Sequence, residues 1–162
     1  MLNLPLTSSV LIKGGPGRGK TFVLKSMMNL AFQSNVEISL VVPDAVDFSD
    51  ELTAERIHHH AVTKEEIEQE IARLHEILTD RQAMDQDSKH SPSICLFVDE
   101  APYVLRDLSS QADEYLADLI MDGSYVNMHV AMAGIQFEHS ARAFPRLGAK
   151  RQAEGQVGFH TP

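Results

Sequence analysis

Cysteine is almost missing from this chain. Its one thiol, Cys95, excludes an internal disulfide and fits a reducing compartment. Cys95 stands inside an apolar run and reads as buried packing rather than a reactive group. No stretch approaches the roughly 18 apolar residues that a membrane-spanning helix needs, so no membrane segment is expected. Met1 to Val10 has no basic region followed by an apolar run, and no secretory leader is expected. Internal repeats, low-complexity tracts and interdomain linkers are also missing, so residues 1–162 are expected to form a single domain in the cytoplasm. Positive charge is scarce: 14 lysines and arginines face 23 acids, a net of −9, which counts against a non-specific nucleic-acid binder. The deficit is uneven. Residues 37–87 hold 14 acids against four basic residues, whereas residues 142–151 hold Arg142, Arg146, Lys150 and Arg151 and no acid. That division leaves room for one basic patch, and double-stranded DNA stays open as a partner.

What is present is an alternation of strand and helix patterns over a chain that is 43% hydrophobic. The alternation predicts an α/β fold with a mainly parallel sheet of about five strands and helices on both faces. Ser9 to Ile12 is a short apolar strand. A helix is expected from about Gly19 to Phe32, burying Phe22, Val23, Met27, Leu30 and Ala31. Glu37 to Val42 predicts a second strand, stopped by Pro43. Thr63 and Glu66 make a capping box, and Ile67, Ile71, Leu74 and Leu78 follow at helical spacing. Asp85 to Pro92 is a polar loop. Ile94 to Val98 is unbroken apolar sequence, as in a strand covered on both faces. A helix around Gln111 to Met121, a strand over Met128 to Ala133 and a last short strand over Gln156 to Phe159 complete the expectation. Pro145 and Gly148 leave Ser140 to Arg151 ambiguous.

The chemistry is concentrated in two segments. Gly14-Gly15-Pro16-Gly17-Arg18-Gly19-Lys20-Thr21 fits G-x-x-x-x-G-K-[ST] at every fixed position and follows an apolar strand. Glycines there let backbone N–H groups turn inward around phosphate oxygens, and the start of the following helix adds its positive end. Lys20 is expected to reach the outer phosphates of ATP, and the Thr21 hydroxyl to bind Mg²⁺. A K-G-G-x-x-K-T loop of the partitioning type is set aside, because two extra residues separate the glycine pair from Lys20. The second segment is Ile94-Cys95-Leu96-Phe97-Val98-Asp99-Glu100, the Walker B pattern. Asp99 is expected to hold Mg²⁺ through water, and Glu100 to polarise the attacking water.

A Glu directly after the Walker B Asp points to the RecA-like and AAA-like branch, in which one strand lies between the phosphate-loop strand and the Walker B strand. Met128 to Ala133 is the candidate. That would put Gln136 at the carboxyl edge beside the terminal phosphate, as a polar sensor. Two other features carry less. In His58-His59-His60, three consecutive side chains cannot all face one ion from a regular element. Arg142, Arg146 and Lys150 are spaced as a basic stripe, but Pro145 weakens the helix that would align them.

In order and spacing, these segments resemble the core of FtsK/SpoIIIE-type DNA translocases, in the HerA–FtsK group of ring ATPases. The likeness runs from Ile12-Lys13 through Thr21, over the helix Glu65 to Gln82, to Leu96-Phe97-Val98-Asp99-Glu100-Ala101. It continues in Tyr115 to Ile120 and ends in Met128-His129-Val130-Ala131-Met132-Ala133-Gly134-Ile135-Gln136, similar to that family's final strand and sensor. The resemblance implies ATP hydrolysis with Mg²⁺ in a homo-oligomeric ring acting on DNA. It also implies an arginine acting across the subunit boundary, but the matching segment reads Gly123-Ser124-Tyr125-Val126-Asn127 and the matching residue is Ser124. Where the family has Asp-Pro-Lys, this chain reads Val42-Pro43-Asp44-Ala45.

Three other readings stay open. One is a non-hydrolysing or partner-activated ATP switch, in which a partner ATPase supplies the arginine. Another is a small-molecule P-loop kinase, disfavoured by the Asp99-Glu100 pair. The third, a GTPase, finds no Asn-Lys-x-Asp motif.

Overall fold

The structure, a computed structural model, describes residues 9–43, 48, 56–84 and 91–135. Its strands are β1 (Val10–Lys13), β2 (Glu37–Val41), β3 (His59–Ala61), β4 (Ile94–Val98) and β5 (Met128–Gly134). They form one parallel sheet in the order β1-β5-β4-β2-β3. The strand over Met128–Gly134 therefore lies between the phosphate-loop strand and the strand that leads into Asp99, as the Asp-Glu pair implied.

The helices are α1 (Lys20–Gln33), α2 (Lys64–Ala83), the short α3 (Ala101–Arg106) and α4 (Ser110–Asp122), with a 3₁₀ turn over Gly123–Val126. One side of the sheet, including Ile38, Leu40, Phe97 and Ala131, packs with Leu24, Met27 and Met28 of α1. The other side, including Val41, Leu96, Val98 and Val130, packs with α2 and α4 through Ile71, Leu74, Leu116 and Ile120. Both faces are covered, so β4 is buried at all five positions. Each fully buried Leu or Ile contributes roughly 1.5–3 kcal/mol relative to exposure.

Helix α2 starts where its cap chemistry directs. Thr63 Oγ1 accepts from Glu66 N at 3.3 Å, and Glu66 Oε2 accepts from Thr63 N at 2.9 Å. The expected Ile67, Ile71, Leu74 and Leu78 all face the core. Glu70 and Arg73 tie this helix to the sheet: Ser39 Oγ donates to Glu70 Oε1 at 2.6 Å, and Arg73 Nε donates to Glu70 Oε2 at 2.9 Å. Burial would push the Glu70 carboxyl up, but the Arg73 and Ser39 hydrogen bonds outweigh it and hold the group below the ordinary glutamate value.

One expectation needs correction, and two elements were not expected. Helix α1 buries Lys20, Leu24, Met27, Met28 and Ala31, whereas Phe22, Val23 and Leu30 are exposed at 75%, 42% and 38%. The helix is apolar on several sides, so its phase follows from Lys20 at its start, which must turn inward. Counting from Lys20, the buried positions fall at i+4, i+7, i+8 and i+11, one helical face. The fifth described strand is β3, and the expected strand over Gln156 to Phe159 lies outside the described residues. Strand β3 pairs with β2 (Ser39 with His59, Val41 with Ala61), and His58 extends the pairing. His58 N donates to Ile38 O at 2.9 Å, and its Nδ1 accepts from Ile38 N at 3.0 Å. Finally, no helix was expected over Ala101–Arg106, a segment that contains Pro102. Here the proline sits in the first turn, where no N–H is needed.

Candidate functional site

The glycine loop leaves β1 and is anchored to the neighbouring strand, Gly14 N donating to Gly134 O at 3.4 Å. It then turns on itself, with Arg18 N reaching Gly15 O at 3.3 Å. Gly17 and Gly19 hold φ of 66° and 75°, the left-handed region that side chains disfavour. Gly19 is the N-cap of α1. It brings no side-chain cap, and the first turn carries no acid. The helix itself thus places no acid and no side-chain cap on the N–H groups of that turn, which suits a phosphate cradle. Lys20 is buried, with Nζ resting on Gly15 O at 3.1 Å.

The second segment arrives beside the first. Asp99, 1% exposed, is held by its own N–H on Val41 O at 3.0 Å. Its carboxylate has two engagements. Oδ2 accepts from the Thr21 hydroxyl at 2.9 Å, and Oδ1 accepts from Glu100 N at 3.0 Å. Glu100 adopts a left-handed backbone (φ 46°, ψ 41°) and caps α3, its carbonyl accepting from Tyr103 N at 2.8 Å. A hydroxyl and a carboxylate side by side are hard oxygen donors, a set that fits Mg²⁺ with retained waters.

The structure thus gathers Gly14, Gly15, Pro16, Gly17, Arg18, Gly19, Lys20, Thr21, Asp99 and Glu100 at the carboxyl edge of β1 and β4. Gln136 lies outside the described residues, as do Arg142, Arg146, Lys150 and Arg151. Ser124 lies in the 3₁₀ turn, half-buried. Among the described residues no group of three His, Cys, Asp or Glu side chains is placed to hold a metal ion. His59 instead approaches Glu37 at 3.5 Å and Glu70 at 3.9 Å. Burial pushes the Cys95 thiol up, consistent with packing. The sequence reading missed two backbone oxygens, those of Gly15 and Gly134, which hold Lys20 and the loop. Carbonyls occur at every position and leave no signal in residue type.

A family profile described as "AAA domain" matches residues 5–111, more than half of the chain. The chain belongs to the AAA-domain family. Among solved structures, this AAA-domain chain is similar to the cytoplasmic domain of EssC, with 20% identity and a TM-score of 0.62 over 78% of the chain. It is similar to the pCW3 conjugation coupling protein TcpA in its monomer form with ATPγS, with 15% identity and a TM-score of 0.66 over 80% of the chain. A third likeness is to EssC (ATPases 2 and 3) from Geobacillus thermodenitrificans, with 13% identity and a TM-score of 0.68 over 96% of the chain. The chain spans only 27%, 43% and 36% of those three chains. At these identities the likeness is one of fold. No curated protein matches the chain by sequence. No helix among the described residues is long and apolar enough to cross a membrane.

Proposed function

We propose that this AAA-domain chain binds ATP with Mg²⁺ at Gly14 to Thr21 and hydrolyses it, as the motor core of an FtsK/SpoIIIE-type oligomer acting on double-stranded DNA. The observation that carries the reading is the 2.9 Å hydrogen bond from Thr21 Oγ1 to Asp99 Oδ2, which joins the two halves of the motif. Further support comes from the strand order, and from TcpA, a conjugation coupling protein of similar fold seen with ATPγS.

In this reading the loop N–H groups and the start of α1 hold the inner phosphates, and Lys20 leaves Gly15 O for the outer ones. Thr21 and Asp99 hold Mg²⁺, which when bound neutralises charge on the phosphate oxygens. Glu100 takes the proton of the attacking water. Its backbone is pinned at both ends, N–H on Asp99 and C=O on α3, so its side chain starts from a fixed direction. Gln136 is assigned as a polar sensor of the terminal phosphate.

A second reading is favoured by Ser124. At the position of the resemblance's boundary-crossing arginine stands an uncharged, half-buried serine. Turnover would then wait for an arginine from a partner ATPase.

The test is the ATPase rate with and without double-stranded DNA over a range of protein concentrations. Stimulation by DNA supports the motor. A slow rate indifferent to DNA and concentration supports the partner-activated switch. Phosphate transfer to a metabolite in place of hydrolysis contradicts both.

A further inference from the structure

Of the five arginines among the described residues, four have partners there. Arg56 Nη1 donates to Asn29 Oδ1, Arg73 pairs with Glu70, Arg81 Nη1 donates to Val126 O, and Arg106 pairs with Asp107. Arg18 alone has no side-chain partner among the described residues, although the chain as a whole carries a net charge of −9. It is also the exposed arginine of the phosphate loop.

Its stem does not simply project into solvent. A Cβ built on Gly15 would meet Arg18 Cγ at 3.7 Å, and one built on Gly14 would meet Arg18 Cβ at 3.7 Å and Lys20 Cγ at 3.5 Å. The Arg18 and Lys20 stems therefore both pass over Gly14, and the Arg18 stem reaches on over Gly15. Lys20 is buried with its ammonium on Gly15 O, while Arg18 stays outside the cradle.

We propose that the Arg18 guanidinium is a specificity-determining cation that contacts the terminal phosphate of a bound nucleoside triphosphate in cis. This rests on the nucleotide reading of the same loop. Backbone N–H groups enclose the inner phosphates, so a cation at the rim meets only what protrudes, the doubly charged terminal group. A guanidinium suits it, presenting a planar fork of donors to two phosphate oxygens. A left-handed glycine on either side of Arg18 fixes where that fork starts.

The test is calorimetry with Mg²⁺ on wild type, Arg18→Ala and Arg18→Lys, using a non-hydrolysable ATP analogue and ADP. Arg18→Ala is expected to weaken the analogue about tenfold to a hundredfold and ADP by no more than about twofold, the scale of a lost charge-assisted hydrogen bond to one phosphate. Arg18→Lys is expected to recover part of the loss. Equal weakening of analogue and ADP, or no change in either, overturns the inference while leaving the nucleotide site standing. Wild type that binds neither nucleotide removes the site and the inference together.

Discussion

Thr21 and Asp99, 78 residues apart in sequence, meet through a 2.9 Å hydrogen bond from the threonine hydroxyl to the carboxylate. The other carboxylate oxygen holds the Glu100 N–H, so Asp99 connects the start of α1 to the residue proposed as the base. Thr21→Val keeps the shape and removes the oxygen. It is expected to weaken Mg²⁺-dependent tightening of ATP by at least about tenfold, the scale seen when the surroundings of a metal site are altered. Titration of ATP affinity against Mg²⁺ checks it, and an unchanged Mg²⁺ dependence contradicts the assignment.

Glu100→Gln retains size and hydrogen bonding but cannot accept a proton. ATP binding is expected to persist while turnover falls roughly 10²-fold or more, the contribution of a positioned base. Single-turnover hydrolysis measures this. Equal rates in both proteins would remove Glu100 from the chemistry and favour the partner-activated switch.

Gly123 closes α4 at a tight passage. A Cβ there would lie 2.8 Å from Met128 O, a backbone atom at the start of β5 that cannot swing aside. Gly123→Ala is expected to cost about 1–3 kcal/mol through forced backbone shifts. The urea midpoint is the measure. Because the end of β5 anchors the glycine loop at Gly134, nucleotide affinity is expected to fall with it.

His129 is buried, its Nδ1 has no partner among the described residues, and burial lowers its pKa below the ordinary histidine value. The unfolded chain therefore binds the proton more readily than the folded one. Stability from the neutral ring is present above the unfolded value of about 6.5 and is lost as pH falls below it. The urea midpoint is expected to drop between pH 7.5 and 5, and His129→Leu to flatten that slope. Glu70, held below 4.5, adds its own loss only at more acid pH.

Legibility in the sequence followed the strength of the local signal. Thr63 with Glu66 marked α2 to within a residue, because a cap needs particular side chains at particular offsets. Ile94 to Val98 marked the central strand by its unbroken apolar run. Strand β3 was hidden because His59-His60-Ala61 has neither apolar alternation nor length, and exists through its pairing with Ser39 to Val41. The buried face of α1 was misread because Phe22, Val23 and Leu30 are apolar on the side that the inward turn of Lys20 leaves exposed. In the site, loop and Asp-Glu pair were legible as types. That the Thr21 hydroxyl meets the Asp99 carboxylate is a tertiary fact, and so is the resting place of Lys20 on a backbone oxygen.

The central claim is that Gly14 to Thr21 holds the phosphates of a nucleotide. Its most direct test is ATP binding by calorimetry with Mg²⁺, comparing wild type with Lys20→Ala. The account predicts that wild type binds and that the variant, deprived of the cation now resting on Gly15 O, binds about 10- to 100-fold more weakly, as when a charged hydrogen bond is lost. Equal affinity in the two proteins, or no binding by wild type, would contradict it.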